Sequence, residues 1–387
     1  MWKFISPEIV FGIDALDALE ELDGERALIV TDRRLVALGA VGRVAAHLSR
    51  AGIDVHVFDG VEPEPSLETV ARAAAAAREW SPGWIVGLGG GSPMDAAKAV
   101  RVLYERPDLD VLEITPQAQL ELGGAVRLLT IPTTSGTGAE VTWTFVLTDR
   151  EAQRVVPLGH PENVADLVVV DPELAVSMPA QLTADTGLDA LTHAVEGYTC
   201  GWHTDLSDGL CLKAARLILG FLPRAVEDGE DIVARERMHN AATCAGLGFG
   251  NAMASLAHAM GHALSAVFGV PHGRAVGVLL PYTIEFAGRS APQRIAELGV
   301  LVGCVGTNAT ECAMALARRV RALSRVIGSP LRIEQLGIGR EAFEAQLQKL
   351  TDDAFNDTQI AAACRRTKSW GSCGAMRTRA RRSTFSV

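Results

Sequence analysis

The chain lacks the features that mark membrane proteins and disulfide-stabilised proteins. No apolar run approaches the ~20 residues that a transmembrane helix needs, and the first residues contain no apolar stretch typical of a signal peptide. The seven cysteines are odd in number and show no C-x-x-C spacing, which argues against a disulfide framework. We therefore expect a soluble, cytoplasmic protein with buried thiols and no membrane partner.

Basic charge is also scarce over most of the chain. The 387 residues carry 36 Lys and Arg against 46 Asp and Glu, a formal net charge of −10. This acidic excess argues against nucleic acid or an anionic membrane as a partner. From residue 358 onward the balance reverses, with seven basic residues and no acidic one. Residues 361–387 show no helical or strand periodicity, so we predict a disordered or aberrant tail, of the kind that a frameshift produces.

The order of predicted secondary structure indicates two domains. Apolar, β-rich runs at 27–31, 53–58, 84–88 and 126–132 alternate with helical patterns at 40–51 and 66–79. Strands separated by helices are typical of a parallel α/β sheet. From about residue 180, long stretches rich in Ala and Leu replace the β-branched runs. We predict an α/β domain over residues 1–180, an all-helical domain over 181–360, and an active site in the cleft between them.

Two pairs of polar residues, each four positions apart, supply candidate metal ligands. Asp189 and His193 share one face of a predicted helix, and His258 and His262 share one face of another. His272 follows a Gly-Val-Pro break, so a loop can return it to the same point. A carboxylate with imidazoles suits Fe(II), Zn(II) and other first-row divalent ions. Each pair alone fits an ordinary polar helix face equally well, and one histidine exceeds what four-coordination requires.

Two glycine-rich turns carry residues suited to anion binding. In the turn at 87–95 a strand ends, and we predict that Ser92 and Pro93 begin a helix as its N-cap and first residue. The free N–H groups of such a helix start suit a pyrophosphate. The turn at 133–138, ThrThrSerGlyThrGly, offers hydroxyls for phosphate and ribose. Neither turn has the G-x-G-x-x-G fingerprint, so a purely structural turn stays an alternative.

Asp32 lies just after the first predicted strand. A carboxylate there can accept hydrogen bonds from both hydroxyls of an adenosine ribose, and it would repel the 2′-phosphate of NADP, so it favours NAD. Asp32 can equally be the N-cap of the next helix. Arg33 and Arg34 would favour NADP if either turned inward, but their place next to a helix start predicts that both face water.

Four ordered motifs give the chain a family resemblance. They are GlyGlyGlySerProMetAspAlaAlaLys, IleProThrThrSerGlyThrGlyAlaGluValThr, GlyLeuAspAlaLeuThrHisAlaValGlu, and HisAlaMetGlyHisAlaLeu with the following ValProHisGlyArgAla. Across roughly residues 4–360 the chain resembles the iron-containing (group III) alcohol dehydrogenases. The resemblance implies an α/β dinucleotide-binding domain followed by an all-α metal-binding domain, the architecture that dehydroquinate synthase also has.

The resemblance also implies roles for individual residues. It makes Asp189, His193, His258 and His272 the metal ligands, and it leaves His262 near the nicotinamide, where a neutral imidazole suits a proton relay. The implied cofactor residues are Asp32, Gly90, Gly91, Ser92, Asp95, Thr133, Thr134, Thr137 and Thr142.

The reaction implied by the resemblance is hydride transfer between a nicotinamide and a small alcohol or aldehyde. The cofactor is NAD, with NADP as the alternative, and the divalent ion that polarises the substrate oxygen is Fe(II), with Zn(II), Mn(II) or Ni(II) as alternatives. We expect a homo-oligomer, a dimer or larger. Apolar and aromatic residues that would suit a short-chain pocket, or equally a core, are Trp143, Phe145, Phe249, Met253, Leu256 and Phe268.

Some positions depart from the family pattern, and other functions stay open. Glu64 stands where the family often has Asn, and Arg154 is the nearest basic residue where it usually has Lys. A dehydroquinate synthase-like lyase or a glycerol dehydrogenase-like enzyme is the main alternative. The lyase needs several basic residues beside the metal, and only Arg274 lies close to a candidate ligand in sequence. A non-catalytic binding protein would not need intact ligands and cofactor turns.

Overall fold

The computed structural model describes residues 3–152 and 154–357, so the predicted tail at 361–387 lies outside the described residues. The strands are β1 (Glu8–Phe11), β2 (Arg26–Val30), β3 (Asp54–Phe58), β4 (Trp84–Gly89), β5 (Arg127–Pro132), β6 (Thr144–Asp149), β7 (Arg154–Gly159) and β8 (Leu167–Val170). The helices are α1 (Arg33–Ala37), α2 (Ala40–Arg50), α3 (Leu67–Trp80), α4 (Gly91–Glu105), α5 (Ala180–Thr199), α6 (Asp205–Glu227), α7 (Ile232–Gly250), α8 (Leu256–Phe268), α9 (His272–Ser290), α10 (Pro292–Leu301), α11 (Ala309–Val326) and α12 (Arg340–Asn356). Within the described ranges, none of these helices has the length and apolarity to span a bilayer.

Six parallel strands form the sheet of the N-terminal part. Their order is β1-β8-β5-β4-β2-β3, and β6 and β7 form a separate antiparallel hairpin. Strand β4, with the sequence WIVGLG, is buried at every residue, as expected for an inner strand covered on both faces. The four predicted strands correspond to β2, β3, β4 and β5, and the α/β prediction is confirmed. The short β1 and β8 and the hairpin were not predicted.

The path of the chain through the sheet marks where a ligand binds. After β2 the chain moves outward to β3, then returns past β2 to β4 and continues to β5. In open parallel sheets, ligands bind outside the carboxyl ends of the strands at the point where this direction reverses. Here that point lies between β2 and β4. Asp32 lies two residues after the end of β2, Gly90 follows β4 and Thr133 follows β5, so all three lie at this edge.

The C-terminal part is helical from Ala180 onward. Helix α5 is buried over nearly its whole length between neighbouring helices, and its small and apolar residues form a core with α6, α7 and α9. A helix enclosed on all sides holds any polar side chain it carries in a fixed, desolvated position. Because the last strand ends at Val170 and the long helices begin at Ala180, we propose a domain boundary near residue 180.

The turn after β5 is packed directly against the helical part. Gly138 has a left-handed φ of +64°, and a Cβ at this position would lie 2.5 Å from the Cα of Gly246 in α7. Next to it, the Oγ of Ser135 lies 2.8 Å from Nδ1 of His239. The Oγ1 of Thr243 donates to Oε1 of the buried Glu140 at 2.8 Å. These contacts fix the second glycine-rich turn against α7, which packs on α5, the helix that carries Asp189 and His193.

Candidate active site

Three helices bring candidate metal ligands to one buried point. The Oδ1 of Asp189 in α5 lies 3.6 Å from Nε2 of His258 in α8 and 3.5 Å from Nε2 of His272 in α9. These three donor atoms all lie within 4.8 Å of one another. Asp189 and His258 are almost completely buried, whereas the His272 side chain is 35% exposed, so the cluster opens to solvent on the His272 side.

Close packing of the start of α9 on α5 explains how His272 reaches this point. The sequence had suggested that His272 lies in the loop before this helix, but His272 is the first residue of α9. A Cβ at Gly273 would lie 2.5 Å from the Asp185 carbonyl oxygen, so only glycine allows this approach. The Nη2 of Arg274 then donates to the Asp185 carboxylate at 2.8 Å. This pairing engages Arg274, the basic residue nearest in sequence to a candidate ligand, which the lyase alternative would need for a substrate phosphate.

His193 lies slightly outside the tight set of three ligands. Its Nε2 is 3.9 Å from Oδ1 of Asp189, one helical turn earlier on α5. The ring stacks on Phe249, with centroids 4.0 Å apart and an interplanar angle of 9°. Phe249 therefore fixes the plane of the imidazole, a role that the sequence did not distinguish from ordinary core packing.

The donor set fits a transition-metal ion. Ligand atoms held about 2.1 Å from an ion at tetrahedral angles are about 3.4 Å apart, close to the separations from Asp189 of 3.5, 3.6 and 3.9 Å. Asp189 Oδ1 and His258 Nε2, which face each other, are buried and have no hydrogen-bond partner among the described residues. Unpartnered buried polar atoms are costly, and an ion coordinated by the cluster would remove much of that cost.

The electrostatics of the cluster also call for a cation. Burial alone would raise the pKa of the Asp189 carboxyl, but His193, His272 and His258 together hold that pKa well below its usual range. Burial lowers the pKa of His258, yet the nearby Asp189 carboxylate and the hydrogen bond to Glu196 outweigh burial and raise that pKa to about 9. In contrast, burial lowers the pKa of His193 to about 3. The buried carboxylates of Asp189 and Glu196 therefore both favour a positive charge at this point.

His262 lies outside the set of three donor residues. Its Nδ1 lies 2.8 Å from Oδ2 of Asp357, just beyond the end of α12, and its side chain is 32% exposed. The ring lies beside His272, with centroids 5.1 Å apart. Burial, opposed by the bond to Asp357, lowers the pKa of His262 below its ordinary value. Asp357 was missed in the sequence because nothing local links it to a residue 95 positions earlier.

A groove at the carboxyl edge of the sheet collects most of the predicted cofactor residues. It has a volume of about 410 Å³ and includes Asp32, Gly90, Gly91, Ser92, Thr133 and Thr134 in its lining. Its far wall is the start of the helical part, with Met178, Pro179 and Leu182. Leu182 is seven residues before Asp189, a distance of about 10 Å along α5. One helix therefore runs from the groove to the candidate metal ligands.

The start of α4 differs from the sequence prediction. The helix begins at Gly91 with Gly90 as its N-cap, so Ser92 and Pro93 are its second and third residues. Glycine takes the cap position because the backbone there is crowded: a Cβ at Gly90 would lie 3.3 Å from Oγ1 of Thr134. The Ser92 hydroxyl accepts a hydrogen bond from the backbone N–H of Glu64 at 3.2 Å instead of capping the helix.

Asp32 fulfils the structural role that the sequence left open and also lines the groove. It is the N-cap of α1, and its Oδ1 accepts from the Leu35 N–H at 2.9 Å. One carboxylate oxygen is thereby used locally, and the other is not engaged by that bond. Arg33 and Arg34 are exposed, as expected, although both belong to the groove lining.

The other predicted cofactor residues make contacts behind the groove. Asp95 accepts from the Val146 N–H at 3.1 Å, and burial raises its pKa to about 6. Thr137 lies against Gly91, where a Cβ would be 3.2 Å from its methyl carbon. Thr142 accepts from Nζ of Lys98 at 3.2 Å. Asp95, Thr137 and Thr142 are not among the groove-lining residues.

Lys98 is a buried cation that the sequence analysis did not single out. Its side chain is 0% exposed, and Nζ donates to the Thr144 carbonyl oxygen at 2.8 Å and lies 4.0 Å from Oδ1 of Asp95. Burial lowers its pKa to about 8. The pattern AspAlaAlaLys could have indicated this pair, since residues three apart face each other on a helix.

Arg154 and Phe145 lie outside the sites for which the sequence made them candidates. Arg154 pairs with Asp149 at 3.3 Å at the end of the β6–β7 hairpin, and its side chain is 58% exposed. It is not among the groove-lining residues. Phe145 is fully buried in the core of the α/β part, which removes it from the candidate substrate pocket. Leu256 and Phe268 pack on a core cluster formed by α8 and α9 with residues from the C-terminal helix.

Two family models match the chain. The model described as iron-containing alcohol dehydrogenase matches residues 6–172. The model for the C-terminal part of the Fe-containing alcohol dehydrogenase family matches residues 183–367. The second match includes the first residues of the segment that we separated as an atypical tail.

Relatives and solved structures agree with these matches. The chain is 37% identical over 360 residues to the NADPH-dependent butanol dehydrogenase of Clostridium saccharobutylicum, and the match covers 92% of each protein. It is 39% identical to long-chain-alcohol dehydrogenase 1 of Geobacillus thermodenitrificans, covering 91% of this chain and 89% of the relative. It also matches a longer protein, the aldehyde-alcohol dehydrogenase of Streptococcus pneumoniae, at 33% identity over 92% of this chain but only 43% of that relative.

Among solved structures, 1,3-propanediol oxidoreductase superposes with a TM-score of 0.89 at 32% identity, covering 98% of this chain and 100% of the other. The sulfoacetaldehyde reductase of Bifidobacterium kashiwanohense, in complex with NAD+, superposes with a TM-score of 0.82 at 27% identity, covering 94% of each chain. The chain therefore belongs to the iron-containing alcohol dehydrogenase family, whose members bind NAD(P) and a metal ion, and it is an alcohol dehydrogenase or aldehyde reductase.

Proposed function

We propose that the protein interconverts small primary alcohols and aldehydes, with NAD(H) as cofactor and Fe(II) as its metal. The observation that carries this proposal is the buried set of Asp189, His258 and His272, whose facing donor atoms include two that lack hydrogen-bond partners. One of its helices, α5, also lines a groove at the carboxyl edge of a parallel sheet. These residues would hold a divalent ion, which would supply Lewis-acid polarisation of the substrate oxygen for hydride transfer.

The metal is held by Asp189, His193, His258 and His272. The separations from Asp189 support all four, and His193 is the least tightly placed. The donor set does not distinguish Fe(II) from Zn(II), Mn(II) or Ni(II) by ligand type, because availability decides among ions that accept imidazole and carboxylate. Fe(II) is proposed on the strength of the family.

The cofactor is held along the carboxyl edge of the sheet. Gly90, Gly91 and Ser92 present the start of α4 to the pyrophosphate, where backbone N–H groups and the helix dipole favour an anion. Thr133 and Thr134 contribute hydroxyls from the neighbouring turn. Thr137 packs against Gly91 and so joins the two turns, while Asp95 and Thr142 tie α4 to the segment that follows the second turn.

NAD(H) is preferred over NADP(H) because of Asp32. A carboxylate at the end of β2 accepts hydrogen bonds from the ribose hydroxyls and repels a 2′-phosphate, which is worth on the order of 1–3 kcal/mol. The butanol dehydrogenase relative is named as NADPH-dependent, whereas the sulfoacetaldehyde reductase structure holds NAD+, so relatives use both cofactors. We expect Asp32→Gly to raise catalytic efficiency with NADPH at least tenfold relative to NADH. Equal efficiencies with both cofactors in the wild type would contradict the proposal.

His262 carries the proton between the substrate site and solvent. Its ring lies beside His272 and its side chain is partly exposed, so it has access to both sides. The carboxylate of Asp357 accepts from Nδ1, which leaves Nε2 as the nitrogen that gives and takes the proton. The lowered pKa keeps the ring neutral near pH 7, as a relay requires.

A short aliphatic chain suits the space beside the metal better than a polyol. Phe249 stacks on His193, so an apolar ring borders the candidate metal ligands. We also propose that the protein is a homo-oligomer, dimer or larger, and that it acts in the cytoplasm. The free thiols of the five described cysteines are compatible with a reducing compartment.

The test is an activity panel on matched preparations. Protein stripped with a chelator and then reloaded with Fe(II), Zn(II) or Mn(II) is assayed for oxidation of NADH with aldehydes of increasing chain length and with glycerol-derived dihydroxyacetone. We expect metal-dependent reduction of short aldehydes and little turnover of dihydroxyacetone. A preference for dihydroxyacetone would support the glycerol dehydrogenase-like alternative, and no turnover of any carbonyl compound with either cofactor would contradict the proposal.

A further inference from the structure

Glu196 lies one turn after His193 on α5 and is buried, with 4% of its surface exposed. Its carboxylate faces the start of α8, which begins at Leu256. The N-cap of α8 is Ser255, and the Ser255 side chain makes no capping bond. Instead, Oε2 of Glu196 accepts from the Ser255 N–H at 2.8 Å, and Oε1 accepts from the Ala257 N–H at 2.5 Å. A side chain about 60 positions earlier thus takes over the capping function.

The same carboxylate also determines the state of His258. Its Oε2 lies 2.7 Å from Nδ1 of His258, which is the third residue of α8. Because an ionised carboxylate only accepts, Nδ1 must carry the proton. In the neutral ring Nε2 is then a lone-pair donor, and Nε2 is the nitrogen that faces Asp189 at 3.6 Å. Nε2 is buried and has no hydrogen-bond partner among the described residues.

We propose that Glu196 is the positioning residue of the metal centre: one carboxylate caps α8 and fixes the tautomer and direction of His258, so that Nε2 faces the ion. This inference rests on the proposed metal site. Partners of this kind, which hold the non-coordinating nitrogen of a histidine, typically change metal affinity 10- to 100-fold when removed. Here the orientation of His258 is also coupled to the position of α8, because the same two oxygen atoms of Glu196 accept all three hydrogen bonds.

Glu196→Gln separates the two roles of the side chain. The amide oxygen can still accept from a backbone N–H at the start of α8, so the fold is retained. With its nitrogen towards His258, the amide donates to Nδ1 and favours the tautomer that carries its proton on Nε2. With its oxygen towards His258, it loses the bond from the Ala257 N–H and the negative charge that strengthens the bond from Nδ1. Glu140→Gln is the matched control, because Glu140 is an equally buried carboxylate that accepts a hydrogen bond from Thr243 rather than from a candidate ligand.

The experiment measures Zn(II) affinity by competition with a chromophoric chelator, together with the melting temperature of the metal-free proteins. We expect Glu196→Gln to bind Zn(II) 10- to 100-fold more weakly than wild type while its metal-free melting temperature changes by only a few degrees. The control is expected to retain wild-type affinity. Wild-type affinity in Glu196→Gln would overturn the assignment of Glu196 alone, whereas absence of stoichiometric Zn(II) binding in the wild type would overturn the proposed metal site.

A second measurement decides the matter if Glu196→Gln fails to fold. Nitrogen-15 NMR of the histidine side chains in the wild-type, Zn(II)-loaded protein reports which ring nitrogen carries a proton. We expect the His258 signal to show a protonated Nδ1 and a coordinated Nε2. A coordinated Nδ1 would overturn the inference, because Glu196 could not then hold that ring.

Discussion

Acidification is expected to weaken the contact between His239 and the turn after β5. His239 is 1% exposed, with Nδ1 2.8 Å from the Ser135 hydroxyl and Nε2 3.2 Å from the Pro132 carbonyl oxygen. Burial, only partly opposed by the bond to Pro132, lowers the pKa of His239 from 6.5 to about 4. A charged imidazole is therefore poorly tolerated at a point where the α/β part meets the helices.

Because the pKa of His239 is lower in the folded chain than in the unfolded chain, the free energy of unfolding depends on pH. Between pH 6.5 and about 4 the unfolded chain binds a proton at His239 and the folded chain does not. Stability from this group is therefore fully present above pH 6.5 and is lost as the pH falls towards about 4. At about 1.4 kcal/mol for each pH unit, the loss by pH 4.5 amounts to about 2.5 kcal/mol.

Urea unfolding of the wild type and of His239→Gln, both metal-free, measures this loss at about pH 7.5 and about pH 4.5. Other histidines titrate in both proteins, so the difference between the two free energies of unfolding isolates His239. We expect the wild type to lose about 2.5 kcal/mol more than the variant over this range. A difference that stays constant with pH would refute the reasoning, since it would mean that His239 is equally protonated in the folded and unfolded chains.

Two further predictions concern packing and the C-terminal end. Gly138→Ala is expected to lower the free energy of unfolding by at least about 2 kcal/mol, because the new methyl would lie 2.5 Å from Gly246 at a left-handed φ. The control Gly39→Ala, which also has a left-handed φ but open space around it, is expected to lose only about 1 kcal/mol. Similar losses for both variants in urea titrations would contradict this reasoning. A chain ending after Ile360 is expected to keep its melting temperature and reductase activity. In that shortened chain, Asp357→Ala is expected to keep the metal but to lose on the order of tenfold in activity, because His262 loses its partner. A drop of many degrees on truncation alone would show that the removed segment stabilises the fold.

Residues that lie on the same face of a single helix could be predicted from the sequence. Asp189 and His193 need only the 3.6-residue period of α5 to point in the same direction. The same argument failed for His258 and His262, whose spacing is identical. Their rings diverge, with centroids 6.1 Å apart, because each meets a different carboxylate: His258 meets Glu196, and His262 meets Asp357.

Contacts between elements could not be predicted, because periodicity gives no register between one helix and another. Glu196 reaches His258 only because α5 packs against α8, and Asp357 reaches His262 only because α12 packs there too. The start of α4 shows a different limit. Serine is a favoured N-cap, yet the crowding of Gly90 against Thr134 moves the cap to glycine and leaves Ser92 to bond Glu64.

The central claim is that Asp189, His193, His258 and His272 hold a metal ion and that His262 does not. Metal analysis of wild type, His272→Ala and His262→Ala, purified side by side and reloaded with the same ion, tests it most directly. The account predicts stoichiometric metal in the wild type and in His262→Ala, and loss of metal together with aldehyde reduction in His272→Ala. Stoichiometric metal in His272→Ala, or its loss in His262→Ala, would contradict the account.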